Sequence, residues 1–151
     1  MLISEIYHKK VKTISENYSI RDALKELIED KINGLVVVDK NKQVVGVLSL
    51  QDIAAATLPR QFRQNINMAA AMYKKGFFHE MCTEIMDDPV KKFMRKSFVS
   101  VDLDDNIMAV IADFLRNDLY IVPVINKKKL VGIVTRSEIK KALAYGMNIH
   151  L

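Results

Sequence analysis

The sequence predicts a mixed α/β fold in which two β-α-β-β-α repeats pack sheet to sheet with pseudo-twofold symmetry. Three observations carry this prediction. A ten-residue motif occurs twice, an apolar pattern of helical period precedes each copy of the motif, and a pair of β-branched runs follows each helical pattern. The motif reads VVGVLSLQDI at residues 44–53 and LVGIVTRSEI at residues 130–139. Both copies keep apolar pairs around a glycine, then a hydroxyl residue, two spacers, a carboxylate and an isoleucine.

The first helix of each repeat is indicated by apolar residues that recur on one helical face. They are Ile20, Ala23, Leu24, Leu27 and Ile28 in the first repeat, and Ile107, Val110, Ile111, Phe114 and Leu115 in the second. Ser19, with Asp22 three residues later, is expected to begin the first helix, and Asp105 is expected to cap the second.

Each first helix is followed by two β-branched runs with a short polar turn between them, a pattern typical of a β-hairpin. The predicted hairpin strands are 35–39, 44–48, 121–125 and 130–134. Short strands are expected before the first helices, at 12–15 and 98–101, and second helices begin near Leu50 and Arg136.

The spacing of the two repeats changes from 87 residues before the hairpin to 86 after it, so we expect one residue to be missing around 118–120. A unit of about 55 residues buries too little surface to be stable alone. Each repeat is therefore expected to complete the core of the other. The predicted domains are a first repeat at 1–57, a helical connector at 58–89 and a second repeat at 90–151.

The connector is too long for an unstructured loop and is expected to be helical. Pro59 should end the helix before it, and NMAAAMYKK and FFHEMCTEIM favour helices. Its large apolar residues suit either of two roles, cover for the core or a flexible partner-binding face. They are Met68, Met72, Phe77, Phe78 and Met81.

The composition limits the classes of function. Of 151 residues, 50% are hydrophobic and 27% are charged, which is typical of a globular protein. No signal peptide or membrane-length apolar run is present, and the one cysteine, Cys82, fits a reducing compartment, so we expect a cytoplasmic protein without a membrane partner. The net charge of +5 suits an anionic partner. The lysines occur in scattered clusters without interleaved aromatic residues, which argues against nucleic acid.

Metal and catalytic sites are not expected. The three histidines, His8, His79 and His150, share no metal-ligand spacing. No sequence arrangement suggests a catalytic triad, and no phosphate-binding loop of the GxxxxGK[ST] type is present.

The ordered pair of repeats resembles a tandem pair of cystathionine-β-synthase (CBS) domains, also called a Bateman module. The segments that carry the resemblance are Gly46–Ile53, Gly132–Ile139, Asn33–Asp39, Leu119–Ile125 and Val90–Val101. The resemblance covers the whole chain except the connector, which leaves no catalytic domain, and it implies a stand-alone regulatory module that is not an enzyme and requires no cofactor.

The resemblance also implies ligands and partners. The expected ligand is an adenine nucleotide (AMP, ADP or ATP) or S-adenosylmethionine, with cyclic dinucleotides as a further class, bound in the clefts between the repeats. The expected assembly is a homodimer, and the expected reader of the bound state is a regulated enzyme or transporter.

Residue types at the end of each motif suit such a ligand. A helix N-terminus favours phosphate, to which Ser49 or Thr135 could donate, and a carboxylate from Asp52 or Glu138 could accept from both ribose hydroxyls. The strand residues near the motif could hold adenine, with Gly34 admitting close approach of the base. The predicted ligand-binding residues are Thr13, Gly34, Leu35, Ser49, Asp52, Ser100, Tyr120, Ile121, Thr135, Arg136, Ser137 and Glu138.

The same motif has a purely structural interpretation. Thr135 and Glu138 have the spacing of a capping box, in which hydroxyl and carboxylate bind only backbone amides, and Ser49 with Asp52 approximates one. If the residues do bind a ligand, Arg136 and the nearby lysines 127–129 favour the second repeat. The alternative functions are a ligand-free dimerisation or interaction scaffold and, third, a nucleic-acid-binding surface.

Overall fold

Each repeat folds into a small sheet flanked by helices, and the two sheets face each other. The structure is a computed structural model that describes residues 1–71 and 74–150. Met72 of the predicted connector face and Leu151, the last residue of the predicted second repeat, lie outside the described residues. The mixed α/β class and the sheet-to-sheet arrangement of the two repeats are confirmed.

The first repeat contains all five predicted elements. They are β1 (Thr13–Ser15), α1 (Ile20–Glu29), β2 (Gly34–Val38), β3 (Val44–Ser49) and α2 (Leu50–Ala56). In the sheet, β1 is parallel to β2 and β2 is antiparallel to β3. Helix α1 begins as predicted, because the Ser19 hydroxyl accepts the Asp22 amide at 3.1 Å.

The connector is largely helical. It contains a 3-10 turn at Arg60–Phe62, then α3 (Ile66–Ala71) and α4 (Phe77–Ile85). Pro59 follows the end of α2, as expected. Of the apolar connector residues, Phe78 is 73% exposed and Met68 is 47% exposed, whereas Phe77 and Met81 are half-buried.

The second repeat contains α5 (Ile107–Asn117), β4 (Ile121–Asn126), β5 (Lys129–Thr135) and α6 (Arg136–Gly146). The strand predicted at 98–101 is wrong. Only Val101 pairs with β4, where its amide donates to the Pro123 carbonyl at 3.0 Å and its carbonyl accepts from Ile125 at 2.8 Å. A single paired residue is too short for a strand.

The predicted cap of α5 is also wrong. The side chain of Asn106 accepts the Met108 amide at 2.9 Å and caps the helix. Asp105 instead accepts the Asp102 amide at 2.8 Å and closes the turn before the helix. Two neighbouring residues of capping type made the choice ambiguous in the sequence.

The missing residue of the second repeat lies in the hairpin turn, not around 118–120. Gly34 pairs with Ser49 in the first hairpin, and Ile121 pairs with Thr135 in the second. Ile121 is therefore the counterpart of Gly34, and Tyr120 is the counterpart of Asn33. A deletion of one residue next to a strand would turn the side chains of that strand to the opposite face of the sheet. A deletion in the hairpin turn leaves the faces of both strands unchanged.

The first segment of each repeat, residues 3–8 in the first and 90–95 in the second, crosses to the other repeat. Ile3 is fully buried in the core of the second repeat, and Val90 is fully buried in the core of the first. Further along, His8 forms two backbone hydrogen bonds with Ile133 of β5, and Arg95 forms two with Val47 of β3. Each repeat is thus completed by a chain segment that leads into the other.

This crossing explains the glycine of the repeated motif. A Cβ atom on Gly132 would lie 2.6 Å from the carbonyl oxygen of His8, and one on Gly46 would lie 2.8 Å from that of Arg95. Real Cβ contacts are longer, so the crossing backbones fit only over glycine. The glycine of the motif therefore serves packing.

The two repeats meet at an apolar cluster between the sheets. Its buried residues are Val36 of β2, Val47 of β3 and Ile121 of β4. A Cβ on Gly34 would lie 2.9 Å from Cγ2 of Ile121. Ile121 therefore packs closely against the backbone of Gly34, and this contact joins the two repeats.

Candidate ligand-binding clefts

Two clefts of unequal size lie between the repeats, and both are bordered by Tyr120 and Ile121. The larger cleft has a volume of about 510 Å³, within the range of small-molecule sites, and the smaller has about 180 Å³. The larger cleft is lined by His8, Lys10, Val11, Lys12, Asp30, Lys31, Ile32, Asn33, Gly34, Tyr120, Ile121, Ile133, Thr135, Arg136 and Ser137. The smaller is lined by Val47, Ser49, Asp52, Arg95, Ser97, Phe98, Val99, Asn117, Leu119, Tyr120 and Ile121.

The start of α6 forms one side of the larger cleft. The Thr135 hydroxyl accepts the Ser137 amide at 3.2 Å and so caps the helix. The Arg136 guanidinium lies 4.5 Å from the centre of the Tyr120 ring and 3.4 Å from an Asp118 carboxylate oxygen. These contacts stabilise the position of the arginine through a cation–π contact and an ion pair. A helix N-terminus beside an arginine is a favourable place for an anion.

The segment before β1 adds a second group of cations, Lys10 and Lys12, to the larger cleft. Lys12 forms ion pairs with Asp30 and Glu26. Hydrogen bonds to Asp30 and then to Glu26 raise the pKa of Lys12 above its ordinary value, so it stays protonated at neutral pH. Among the described residues, no carboxylate oxygen lies within 4.0 Å of the ammonium of Lys10 or Lys31.

The smaller cleft contains an internal ion pair. Nε of Arg95 donates to Oδ1 of Asp52 at 3.0 Å, and Oδ2 of Asp52 accepts the Ser49 amide at 2.8 Å and the Ser49 hydroxyl at 2.9 Å. Both oxygens of this carboxylate, whose side chain is only 12% exposed, are therefore engaged by the protein.

Both capping boxes are formed. Asp52 and Ser49 bind each other's amides at the start of α2. Oε2 of Glu138 accepts the Thr135 amide at 2.9 Å and the Thr135 hydroxyl at 2.6 Å, and Glu138 is only 4% exposed. The structural interpretation of the motif thus holds in both repeats, and a ribose contact from either carboxylate would have to be shared with these bonds.

The structure brings eight of the predicted site residues to the cleft walls. Gly34, Thr135, Arg136 and Ser137 line the larger cleft, Ser49 and Asp52 line the smaller, and Tyr120 and Ile121 border both. The other four lie outside both linings: Thr13 and Ser100 are exposed, Leu35 is buried in the core of the first repeat, and Glu138 is buried at its cap.

Sequence reasoning missed the basic residues that the crossing segments bring to the clefts. His8, Lys10, Val11 and Lys12 line the larger cleft, while Arg95 lines the smaller one. The concentration of basic residues in HKKVK, residues 8–12, was the available signal. It could not be used without knowing which repeat this segment contacts.

The described part of the chain has neither a membrane-spanning helix nor a cluster of metal-ligating side chains. None of its helices combines the length and the apolar character needed to cross a membrane. Residues 1–71 and 74–150 also contain no group of three or more histidine, cysteine, aspartate or glutamate side chains that could hold a metal ion.

Two curated relatives align with nearly all of this chain. A 17.7 kDa protein encoded in the bps2 3' region of Acidianus ambivalens is 28% identical over 93% of the chain and 72% of its own length. The protein MJ1404 of Methanocaldococcus jannaschii is 32% identical over 94% of the chain. The chain spans only 32% of that relative, so the two proteins share a module, not a whole architecture.

Solved structures show the same fold. The CBS domain pair of protein MJ0100, in complex with 5'-methylthioadenosine and S-adenosyl-L-methionine, is 24% identical, with a TM-score of 0.71 over 97% of this chain and 98% of that one. CBSX2 in complex with AMP is 23% identical, with a TM-score of 0.70 over 97% of this chain and 98% of that one.

The family model described as "CBS domain" matches the chain twice, at residues 3–58 and 90–145. The two matches coincide with the two structural repeats and leave the connector between them. The chain therefore belongs to the CBS domain family, as a tandem pair of CBS domains.

Proposed function

We propose that this chain is a regulatory module that binds an adenine nucleotide or adenosyl compound in the larger cleft and performs no chemistry on it. The observation that carries the proposal is the cleft itself, where apolar side chains, a capped helix N-terminus and several cations surround about 510 Å³. Apolar walls suit a base, and a helix N-terminus with cations suits phosphate. The ligands of the CBSX2 and MJ0100 structures, AMP and two adenosyl compounds, support the same class.

The proposed contacts come from residues on both repeats. Thr135, Arg136 and Ser137 would bind phosphate or sugar, and Ile32 and Ile133 offer apolar surface for adenine. Glu138, the predicted ribose acceptor, would contribute by holding Thr135 in place, because Oε2 of its buried carboxylate accepts both the Thr135 amide and the Thr135 hydroxyl. The smaller cleft, with its Arg95–Asp52 ion pair, is the weaker candidate.

Regulation would follow from the position of the cleft. A ligand that contacts both repeats stabilises the arrangement in which both contacts are made, and only such differential affinity can shift an equilibrium. A regulated enzyme or transporter in the cytoplasm would read that arrangement, as an energy sensor does when the ligand is a nucleotide.

A homodimer is part of the proposal. Ile28 on α1 and Leu115 on α5 occupy counterpart positions in the two repeats and are 67% and 83% exposed. Large apolar residues at matching, exposed helical positions suit a self-complementary interface. Sedimentation of the wild type and of Leu115→Glu would test this, with a dimer expected only for the former.

One observation favours a second function, that of an interaction scaffold. Phe78 and Met68 of the connector are strongly exposed, and flexible methionine-rich surfaces suit protein partners. In that case the clefts would bind no ligand and the connector would be the functional surface.

A thermal-shift panel separates the two functions. AMP, ADP, ATP, S-adenosylmethionine, 5'-methylthioadenosine and cyclic dinucleotides are added to the full chain, and a true ligand at 100 times its Kd stabilises it by about 2.7 kcal/mol. Leu50 is the counterpart of Arg136 in the first repeat, so Arg136→Leu gives the larger cleft the residue that the other repeat already has. This variant should abolish most of the thermal shift. Arg116→Leu, an exposed change outside both clefts, should preserve it. No shift with any compound at millimolar concentration favours the scaffold.

A further inference from the structure

The two clefts provide an internal comparison, because their walls are built from counterpart positions of the same repeat. Four positions of the larger cleft carry a lysine or arginine, whereas the counterpart positions in the other repeat carry neither. Lys10, Lys12, Lys31 and Arg136 correspond to Ser97, Val99, Asp118 and Leu50. Among the described residues, the smaller cleft has one cation, Arg95, at the counterpart of His8, and Asp52 already pairs with it. The difference therefore concerns what the larger cleft binds.

The four cations differ in how they are held. Lys12 is paired with Asp30 and Glu26, and Arg136 with Asp118 and the Tyr120 ring. These two are fixed in place by their partners.

Lys10 and Lys31 line the same cleft but have no carboxylate within 4.0 Å among residues 1–71 and 74–150. The described cleft lining contains Lys10, Lys12, Lys31 and Arg136 against the single carboxylate of Asp30, and such an excess of positive charge concentrates anions. Two lysines without an internal partner are thus available to an external anion, in addition to the helix N-terminus and Arg136.

We propose that the larger cleft selects its nucleotide by the length of the phosphate chain and takes a nucleoside di- or triphosphate in preference to a monophosphate or an adenosyl sulfonium or thioether. This inference rests on the proposed function. A monophosphate can be satisfied by the start of α6 and Arg136, which leaves Lys10 and Lys31 unused. Additional phosphates would place negative charge beside these two lysines, which could then donate to the phosphate oxygens. A sulfonium would instead add positive charge to a basic cleft.

Calorimetric titration of the full chain tests the selection. The probes are ATP, ADP, AMP, 5'-methylthioadenosine, S-adenosylmethionine and inorganic tripolyphosphate. ATP is expected to bind at least about tenfold more tightly than AMP, a difference of about 1.4 kcal/mol. Its affinity should fall more steeply with salt than that of AMP, because exposed charges are screened.

The variants Lys10→Gln and Lys31→Gln locate the effect. Each should weaken ATP and tripolyphosphate about tenfold, as expected for loss of a charge-assisted contact, and leave AMP within about twofold. Lys9→Gln is the matched control, since Lys9 is adjacent and exposed, lies 6.0 Å from the Tyr7 ring and is outside the cleft lining. This variant removes the same charge and should leave the affinities for ATP, tripolyphosphate and AMP unchanged.

The outcomes distinguish this inference from the proposed function. Equal binding of AMP and ATP, or tighter binding of S-adenosylmethionine, overturns selection by phosphate number and leaves the adenosine site intact. Binding of tripolyphosphate that depends on Lys10 and Lys31, without binding of any adenosine compound, overturns the proposed function and retains a polyphosphate cleft. A loss with Lys9→Gln equal to that with Lys10→Gln shows general electrostatics and refutes the inference.

Discussion

Replacement of Gly132 by alanine tests the packing explanation of the repeated motif. A Cβ at this position would lie 2.6 Å from the carbonyl oxygen of His8 and still closer to the Tyr7 ring. That carbonyl cannot move freely, because it accepts the Ile133 amide at 3.0 Å within the strand pairing. The variant must therefore separate the crossing segment from β5 or distort the strand.

The expected loss of stability follows from two opposing effects. Overpacking a tightly packed site costs about 1–3 kcal/mol, and replacing glycine by alanine returns about 0.4–1 kcal/mol through the unfolded chain. The net destabilisation is about 1–2 kcal/mol, and each kcal/mol lowers Tm by about 2–4 °C for a chain of this size. Gly146→Ala is the control, because among the described residues no heavy atom lies within 4 Å of its added Cβ. It should stabilise α6 by up to about 1 kcal/mol.

Urea unfolding followed by far-ultraviolet circular dichroism measures both variants. The midpoint should fall for Gly132→Ala and rise or stay constant for Gly146→Ala, with the slope m unchanged in both. A Gly132→Ala protein that is as stable as the wild type at an unchanged m would refute the reasoning, since the crossing segment would then not constrain this position.

Three further predictions concern the clefts and their supports. Arg95→Ala leaves the largely buried Asp52 carboxylate without its cation, so the urea midpoint should fall more than for the exposed neighbouring change Lys96→Ala; equal midpoints would show that the ion pair does not stabilise the fold. Thr135→Ala should cost about 1 kcal/mol of unfolding free energy and Thr135→Ser much less, and equal losses in both would contradict the capping role. Because the pKa of Lys12 is raised in the folded state, its stabilising contribution is present below the unfolded pKa of about 10.4 and is lost as pH rises above it. The difference in urea midpoint between the wild type and Lys12→Met should accordingly be constant near neutral pH and shrink in strong alkali, and a constant difference throughout would exclude a role for the charge.

The parts of the fold that depend on local pattern were predictable. The apolar periodicity from Ile20 and from Ile107 produced helices that begin at those residues, and the β-branched runs produced both hairpins. These features depend on residues that are close together in the sequence, so they could be predicted without knowledge of the tertiary contacts. The choice between Asp105 and Asn106 as a cap failed because both residues can serve.

The crossing segments could not be predicted, since they depend on contacts between distant parts of the chain. Ile3 and Val90 are equally apolar in either repeat, and only the assembled fold decides which core buries them. For the same reason Lys10 and Arg95 were not recognised as cleft residues. The contact between Gly34 and Ile121 likewise joins distant parts of the chain and could not be predicted from local pattern.

A crystal structure of the full chain grown with ATP tests the central claim most directly. The account predicts nucleotide density in the larger cleft, with phosphates near the start of α6 and the side chains of Lys10 and Lys31. Two empty clefts at saturating nucleotide, or density only beside Arg95 in the smaller cleft, would contradict it.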